Sequence, residues 1–195
     1  MKKISPPAEL ETERLILRQW KRADYAPYAE LNADRVVMAF FTATFTRKES
    51  DAMVTYLQSL MARRGWGVWA VQKKSDGAFI GSVGLHVPHA KLPFSPCVEV
   101  GWRLAQAYWG QGYATEAARE SLRFGFEVLA LPEIVAFTSL LNTRSMAVMQ
   151  RLGMVTDPTR NFPHPDVPKG SPLREHCLYR ITCAEWAGAT KLIAC

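Results

Sequence analysis

Gly110 and Gly112 stand one residue apart in YWGQGYATEA, residues 108–117, between an alternating apolar run and a helix-like run. A strand, a glycine turn and a helix start leave unpaired amides where the positive end of the helix dipole favours an anion such as a phosphate. Neither glycine carries a Cβ, so an anion could approach the backbone closely, and successive amides can form an anion-binding nest. Two phosphate motifs do not fit. A dinucleotide fingerprint needs Gly or Ala where Thr115 stands and an acidic residue at the end of the next strand, which here closes on Thr138-Ser139-Leu140. A P-loop needs a lysine after the glycines, and none follows. A tight connection that holds no ligand is the other reading of the turn. Upstream, Glu99 sits on the non-core parity of its strand and could take up a proton if burial raised its pKa; a solvated or salt-bridged glutamate is the alternative. His86 and His176 could each be a base by pKa alone, with a structural hydrogen-bonding role the plainer reading.

The elements that must position these groups follow from periodicity. ERLILRQ, residues 13–19, reads as a first strand. Asp24 reads as a helix start, with Tyr25, Tyr28, Ala29 and Leu31 on one face. A second helix is expected over 48–64, closed by Gly65. Two strand-like runs flank Ser75-Asp76-Gly77, a hairpin turn signal. VEVGWRL, residues 98–104, alternates strictly: Val98, Val100, Trp102 and Leu104 face one side, Glu99, Gly101 and Arg103 the other. A helix is expected over 115–131, a strand over 134–140, and a short helix from an Asn142 N-cap to Leu152, closed by Gly153. The five prolines between Asp157 and Pro172 predict a long irregular surface loop, and REHCLYRIT a last strand. The order predicts a mixed α/β domain over 1–195.

The chain has 195 residues, 48% of them hydrophobic, enough for one core. No apolar run approaches the roughly 20 residues of a membrane span, and the two early lysines are followed by no apolar stretch of a signal peptide. Cys97, Cys177, Cys183 and Cys195 form no C-x-x-C pair, and the four histidines have no metal-ligand spacing, so neither a metal site nor a disulfide framework is expected. A reducing, cytoplasmic setting fits. The net charge of +6 favours anionic partners. Its basic residues are scattered, with no stripe interleaved with aromatics, so nucleic acid is not an expected partner. A homodimer is left open, and Cys195 reads as part of an exposed, frayed end.

Four segments resemble the GNAT superfamily of acetyl-CoA-dependent N-acetyltransferases, in the branch that includes the ribosomal-protein N-terminal acetyltransferases. ETERLILRQW is similar to that branch's opening strand, VEVGWRLAQAYWGQGYATEA to its pyrophosphate-binding strand–turn–helix, NTRSMAVMQRLGM to its second cofactor-binding segment, and PLREHCLYRITCAEW to its closing strand. They cover nearly the whole chain in order. Trp109 stands where the superfamily often has Arg or Gln, although Trp is common in this branch. The loop NFPHPDVPKGSP resembles a subgroup from which substrate identity does not transfer.

The resemblance implies a single GNAT fold whose mostly antiparallel sheet splays between its fourth and fifth strands, with the pantetheine arm in the gap. It implies an acetyl-CoA site formed by Val100, Trp102, Gly110, Gln111, Gly112, Tyr113, Ala114, Thr115 and Asn142, with the amides from Gly110 to Thr115 on the pyrophosphate. It makes Ser145 a candidate acid for the leaving thiolate; a first-turn serine that caps its own backbone is the alternative. Glu99 becomes the candidate acceptor of the amine's proton, and a strand amide near Val100 the group that polarises the thioester carbonyl. The expected reaction is direct transfer to a primary amine, a protein N-terminus or a small molecule. A non-catalytic acyl-CoA sensor would keep the turn and need neither acid nor base.

Overall fold

Ser75, Asp76 and Gly77 turn the chain between β3 (Val68–Lys73) and β4 (Phe79–His86), the antiparallel centre of the sheet. The computed structural model describes residues 3–193, with side chains through Gly188; the expectation for Cys195 lies outside the described residues. The remaining strands are β1 (Leu10–Glu11), β2 (Leu15–Arg18), β5 (Glu99–Leu104), β6 (Glu133–Ser139), β7 (Val155–Thr156), β8 (Phe162–Pro163) and β9 (Glu175–Thr182). They lie in the order β1-β2-β3-β4-β5-β6-β9-β7, with β8 also on β9. Every pair is antiparallel except β5 with β6, which is parallel and registered at one point, Glu99 opposite Val135. The splay expected between the fourth and fifth strands is there. The two-residue β1 simply shifts the count.

Strand alternation assigns the two faces. Trp69 and Val71 enter one core with Tyr113, Ala117, Ala118 and Leu122 of α3 (Tyr113–Arg123) and Met149 of α4 (Thr143–Arg151). Ala70, between them, turns to the other face. There it meets Tyr28 and Leu31 of α1 (Tyr25–Ala33) and Val54 and Leu57 of α2 (Arg47–Arg64). The last helix, α5 (Cys183–Ile193), follows β9, and among the described residues no helix is long and apolar enough to cross a membrane. Thr46 starts α2 with a capping box, its backbone amide donating to Glu49 at 2.7 Å.

Helix α1 starts directly after Asp24, as expected, but the Asp24 carboxylate bonds none of its amides: it takes a bidentate ion pair from Arg18, at 2.7 and 2.8 Å, and the Lys21 amide. Arg18 and Asp24 are both buried, and charge pairing outweighs capping there. Two expectations need correction. The helix expected over 115–131 begins at Tyr113 and is regular only to Arg123, after which residues 124–128 form a π-helical turn. The segment 157–172 is not purely irregular. Phe162 and Pro163 pair with β9, because Phe162 is buried against Leu92, Val135 and Leu178 and that burial overrides the neighbouring prolines.

Candidate active site

Gly110 and Gly112 adopt left-handed φ values of 74° and 84°, and Gly112 is the N-cap of α3. The fold needs glycine at both for that reason. A Cβ on Gly110 would meet nothing within 4 Å, so the turn stands open on its outer side. A Cβ on Gly112 would lie 3.3 Å from Arg14 Nη2. Arg14 latches the turn: its Nη1 donates to the Gln111 carbonyl at 3.1 Å, and its guanidinium pairs with Glu116 at 2.6 Å and lies 4.5 Å from the centre of the Tyr113 ring. Burial works to raise the Glu116 carboxyl, but hydrogen bonds from Thr12 and Arg14 outweigh it and hold the group below its ordinary value. The one carboxylate in the first turn of α3 is thereby matched by a cation. Trp109 fixes the other side of the turn through Nε1 to the Leu104 carbonyl, 2.8 Å, and carries the Arg144 guanidinium 4.8 Å above its ring. Open amides, a helix N-terminus and nearby guanidinium groups are the donor set a pyrophosphate needs.

Beside the turn the sheet opens. The Val98 carbonyl accepts from the Val135 amide at 2.9 Å, whereas the Ala105 amide donates to Ile80 of β4 at 3.0 Å. Even-numbered backbone groups of β5 therefore face β6, and odd-numbered ones face β4. A parallel bridge centred on Glu99 takes up the Val98 carbonyl and the Val100 amide, so the Trp102 amide is the first on that edge past the last paired residue. The gap runs into a cavity of 1180 Å³. Of the residues expected at the site, Glu99, Val100, Trp102, Gly110, Gly112, Tyr113, Ala114, Thr115, Asn142 and Ser145 line it. Gln111 does not; its side chain turns back to the Ala107 carbonyl at 2.9 Å.

Asn142 is the N-cap of α4. Its Oδ1 accepts from the Ser145 amide at 3.2 Å and its Nδ2 donates to Thr138 Oγ1 at 3.0 Å. The Ser145 hydroxyl, half-buried at the cavity wall, makes no hydrogen bond among the described residues, so it does not cap its own helix.

The least expected feature is a pairing. His86 and Glu99 face each other across β4 and β5, with His86 Nε2 3.1 Å from the Glu99 carboxylate. Glu99 is buried, and both residues line the cavity. Burial works to lower the His86 pKa, but the charge and hydrogen bond of Glu99 outweigh it and hold the imidazole above its ordinary value. Alternation along each strand shows which face a residue takes but not its neighbour across the sheet, so the pair was not visible in either segment alone. His176 also lines the cavity; it is buried, its Nδ1 lies 3.0 Å from the Arg174 carbonyl, and burial lowers its pKa. Arg14 and Arg144, the latches of the turn, carried no local sequence signal.

An anion cradle at a helix start beside a splayed sheet is the arrangement that the resemblance to acetyl-CoA-dependent acyltransferases implied. Residues 14–155 match the family described as Acetyltransferase (GNAT) domain. The chain is 30% identical over 189 residues to the FsC-acetyl coenzyme A-N(2)-transacetylase of Aspergillus fumigatus, covering 94% of this chain and 79% of that protein. An acetyltransferase structure from Agrobacterium tumefaciens superposes with a TM-score of 0.71 at 28% identity, covering 89% of this chain and 94% of that one. Ribosomal-protein-S5-alanine acetyltransferase from Vibrio fischeri shares the fold, with a TM-score of 0.69 at 21% identity over 92% of this chain and 98% of its own. The chain belongs to the GNAT family of acetyl-CoA-dependent acyltransferases.

Proposed function

We propose that residues 1–195 act as one cytoplasmic N-acetyltransferase domain that moves the acetyl group of acetyl-CoA directly to a primary amine, in a complex holding both substrates. The observation that carries this reading is the single-point pairing of β5 with β6, which opens a gap leading from the glycine turn to the Glu99–His86 pair. Acetyl-CoA would supply an activated thioester. The amides from Gly110 to Thr115, with Arg144 at the rim, would hold its pyrophosphate. The Trp102 amide would donate to the acyl oxygen, a shift from the neighbourhood of Val100 that strand pairing supports. Asn142 keeps one Nδ2 hydrogen beyond its two intramolecular bonds, able to reach the pantetheine arm.

The amine must lose a proton before it attacks. The Glu99–His86 pair, joined at 3.1 Å, would accept it. Ser145 Oγ would return a proton to the leaving thiolate. No cysteine is among the described residues that line the cavity, so no thiol stands there as an acyl carrier; off that wall, burial first, then the Glu99 charge, pushes Cys97 up to about 11, and a protonated thiol is a poor nucleophile. The relative named as an acetyl coenzyme A-N(2)-transacetylase supports acetyl transfer from coenzyme A to an amine nitrogen. The test is to incubate the protein with acetyl-CoA and a panel of primary amines, following thiol release and product mass. Thiol release that needs an amine and yields its acetamide is expected. Release at one rate with and without amine would overturn the reading.

A further inference from the structure

Glu99, Gly101 and Arg103 lie on one face of β5, and all three line the cavity. A Cβ placed on Gly101 would find only the edge of the His86 ring, at 3.6 and 4.0 Å, so the floor between the two charged residues is clear. Their Cα atoms are about 13 Å apart, four residues along a strand. At one end stands a carboxylate paired with His86. At the other stands an arginine whose contacts are all neutral.

Arg103 Nη1 donates to Asn32 Oδ1 at 2.6 Å, and Asn32 is itself held by Ser50 through Nδ2, 2.9 Å. Asn32 and Ser50 are both fully buried, so the aim of the guanidinium is set by a rigid network. Its Cζ lies over the Phe41 and Phe45 rings, 4.2 and 5.6 Å from their centres. Among the described residues Arg103 has no carboxylate partner, and its Nε is buried without a hydrogen bond. Elsewhere Arg14, Arg18, Arg123 and Arg180 each meet a carboxylate. A guanidinium donor left unmet beside a cavity is a candidate for an acceptor from outside the chain. The unused Nε–Nη2 edge has the fork geometry that binds a carboxylate.

We propose that the acceptor is an amine bearing an anionic group several bonds away, and that Arg103 reads that group while the amine lies at Glu99 and His86. This rests on the acetyltransferase reading and narrows it. A Cα separation of about 13 Å favours a carboxylate set farther from the amine than in a plain α-amino acid. It fits an ω-amino carboxylate or the two termini of a short peptide. Polyamines would meet a like charge at the Arg103 end.

The test uses the intact protein, acetyl-CoA, and ω-amino carboxylates from β-alanine to aminohexanoate, each beside its neutral amide. For the best length, kcat/KM is expected to favour the carboxylate over its amide at least about tenfold, the scale of one hydrogen bond to a charged group. Arg103→Gln is expected to bring that ratio near one, whatever it does to the amide rate, and Arg103→Lys to restore part of it. Loss of Asn32 support alone would slow carboxylate and amide equally, so an unchanged ratio in Arg103→Gln overturns the proposal. A wild-type ratio near one also overturns it, whether or not the variant folds, and leaves the acetyltransferase reading intact. Absence of thiol release with every amine would overturn that reading and this one with it.

Discussion

Replacing Glu99 by Gln removes one charge from a half-buried pair and leaves His86 without a counter-ion. The His86 and Glu99 side chains are 34% and 11% exposed and 3.1 Å apart. Such a pair falls between an exposed one, worth roughly 0.2–1 kcal/mol, and a buried one, whose disruption costs about 3–5 kcal/mol. With solvent screening of the partly exposed imidazole, a loss of roughly 1–2 kcal/mol is expected. At about 2–4 °C per kcal/mol for a chain of this size, the melting temperature should fall by roughly 2–8 °C. The loss should depend on pH in one direction. The folded His86 pKa lies above its ordinary 6.5, so the stability it contributes is fully present below 6.5 and fades as pH rises through the folded value. The gap between wild type and Glu99→Gln should therefore be widest near about pH 5.5 and shrink by about pH 9. Kinetically, the wild-type acidic limb of kcat/KM should lie above 6.5. In Glu99→Gln burial acts on His86 unopposed and the limb should move down, with the neutral-pH rate lower by about a hundredfold. Differential scanning fluorimetry across pH and thiol-release kinetics check both. A melting gap that does not vary with pH, together with an unmoved limb, would refute the pair.

Ser145→Ala should lower kcat by roughly 10²-fold, the lower bound for a positioned acid, with acetyl-CoA affinity unchanged in calorimetry; an unaltered kcat would remove Ser145 from the chemistry. Asp24→Ala should destabilise the fold by about 3–5 kcal/mol, because it strands the buried Arg18 guanidinium; a loss near the roughly 1 kcal/mol of a helix cap would mean that capping was its role.

Most of the fold was legible because its signals are local. The hairpin around Asp76-Gly77, the strict alternation of residues 98–104 and the N-cap at Asn142 each lie within a short window. What could not be read depends on contacts across the chain. Asp24 has good capping chemistry, yet Arg18, six residues back on β2, claims its carboxylate. Phe162 sits among prolines, and only its burial against Val135 and Leu178 makes it a strand residue. The site divides in the same way. The glycine turn is contiguous and was plain. Glu99 was picked out singly, but its partner His86 comes from another strand and Arg103 gains its meaning from Asn32 and Phe41, which are more than sixty residues away. Gln111 shows the reverse: it lies within the turn, but its side chain bonds the Ala107 carbonyl and does not line the cavity.

The central claim, that the glycine turn holds the donor, is tested most directly by calorimetric titration of acetyl-CoA into the wild type and Gly112→Trp. An indole at Gly112 would have to fit a left-handed φ of 84° and displace Arg14, 3.3 Å from the Cβ position, at the mouth of α3. Micromolar binding by the wild type and none by a folded Gly112→Trp is the predicted result. Equal binding by both would contradict the account and send the pyrophosphate elsewhere.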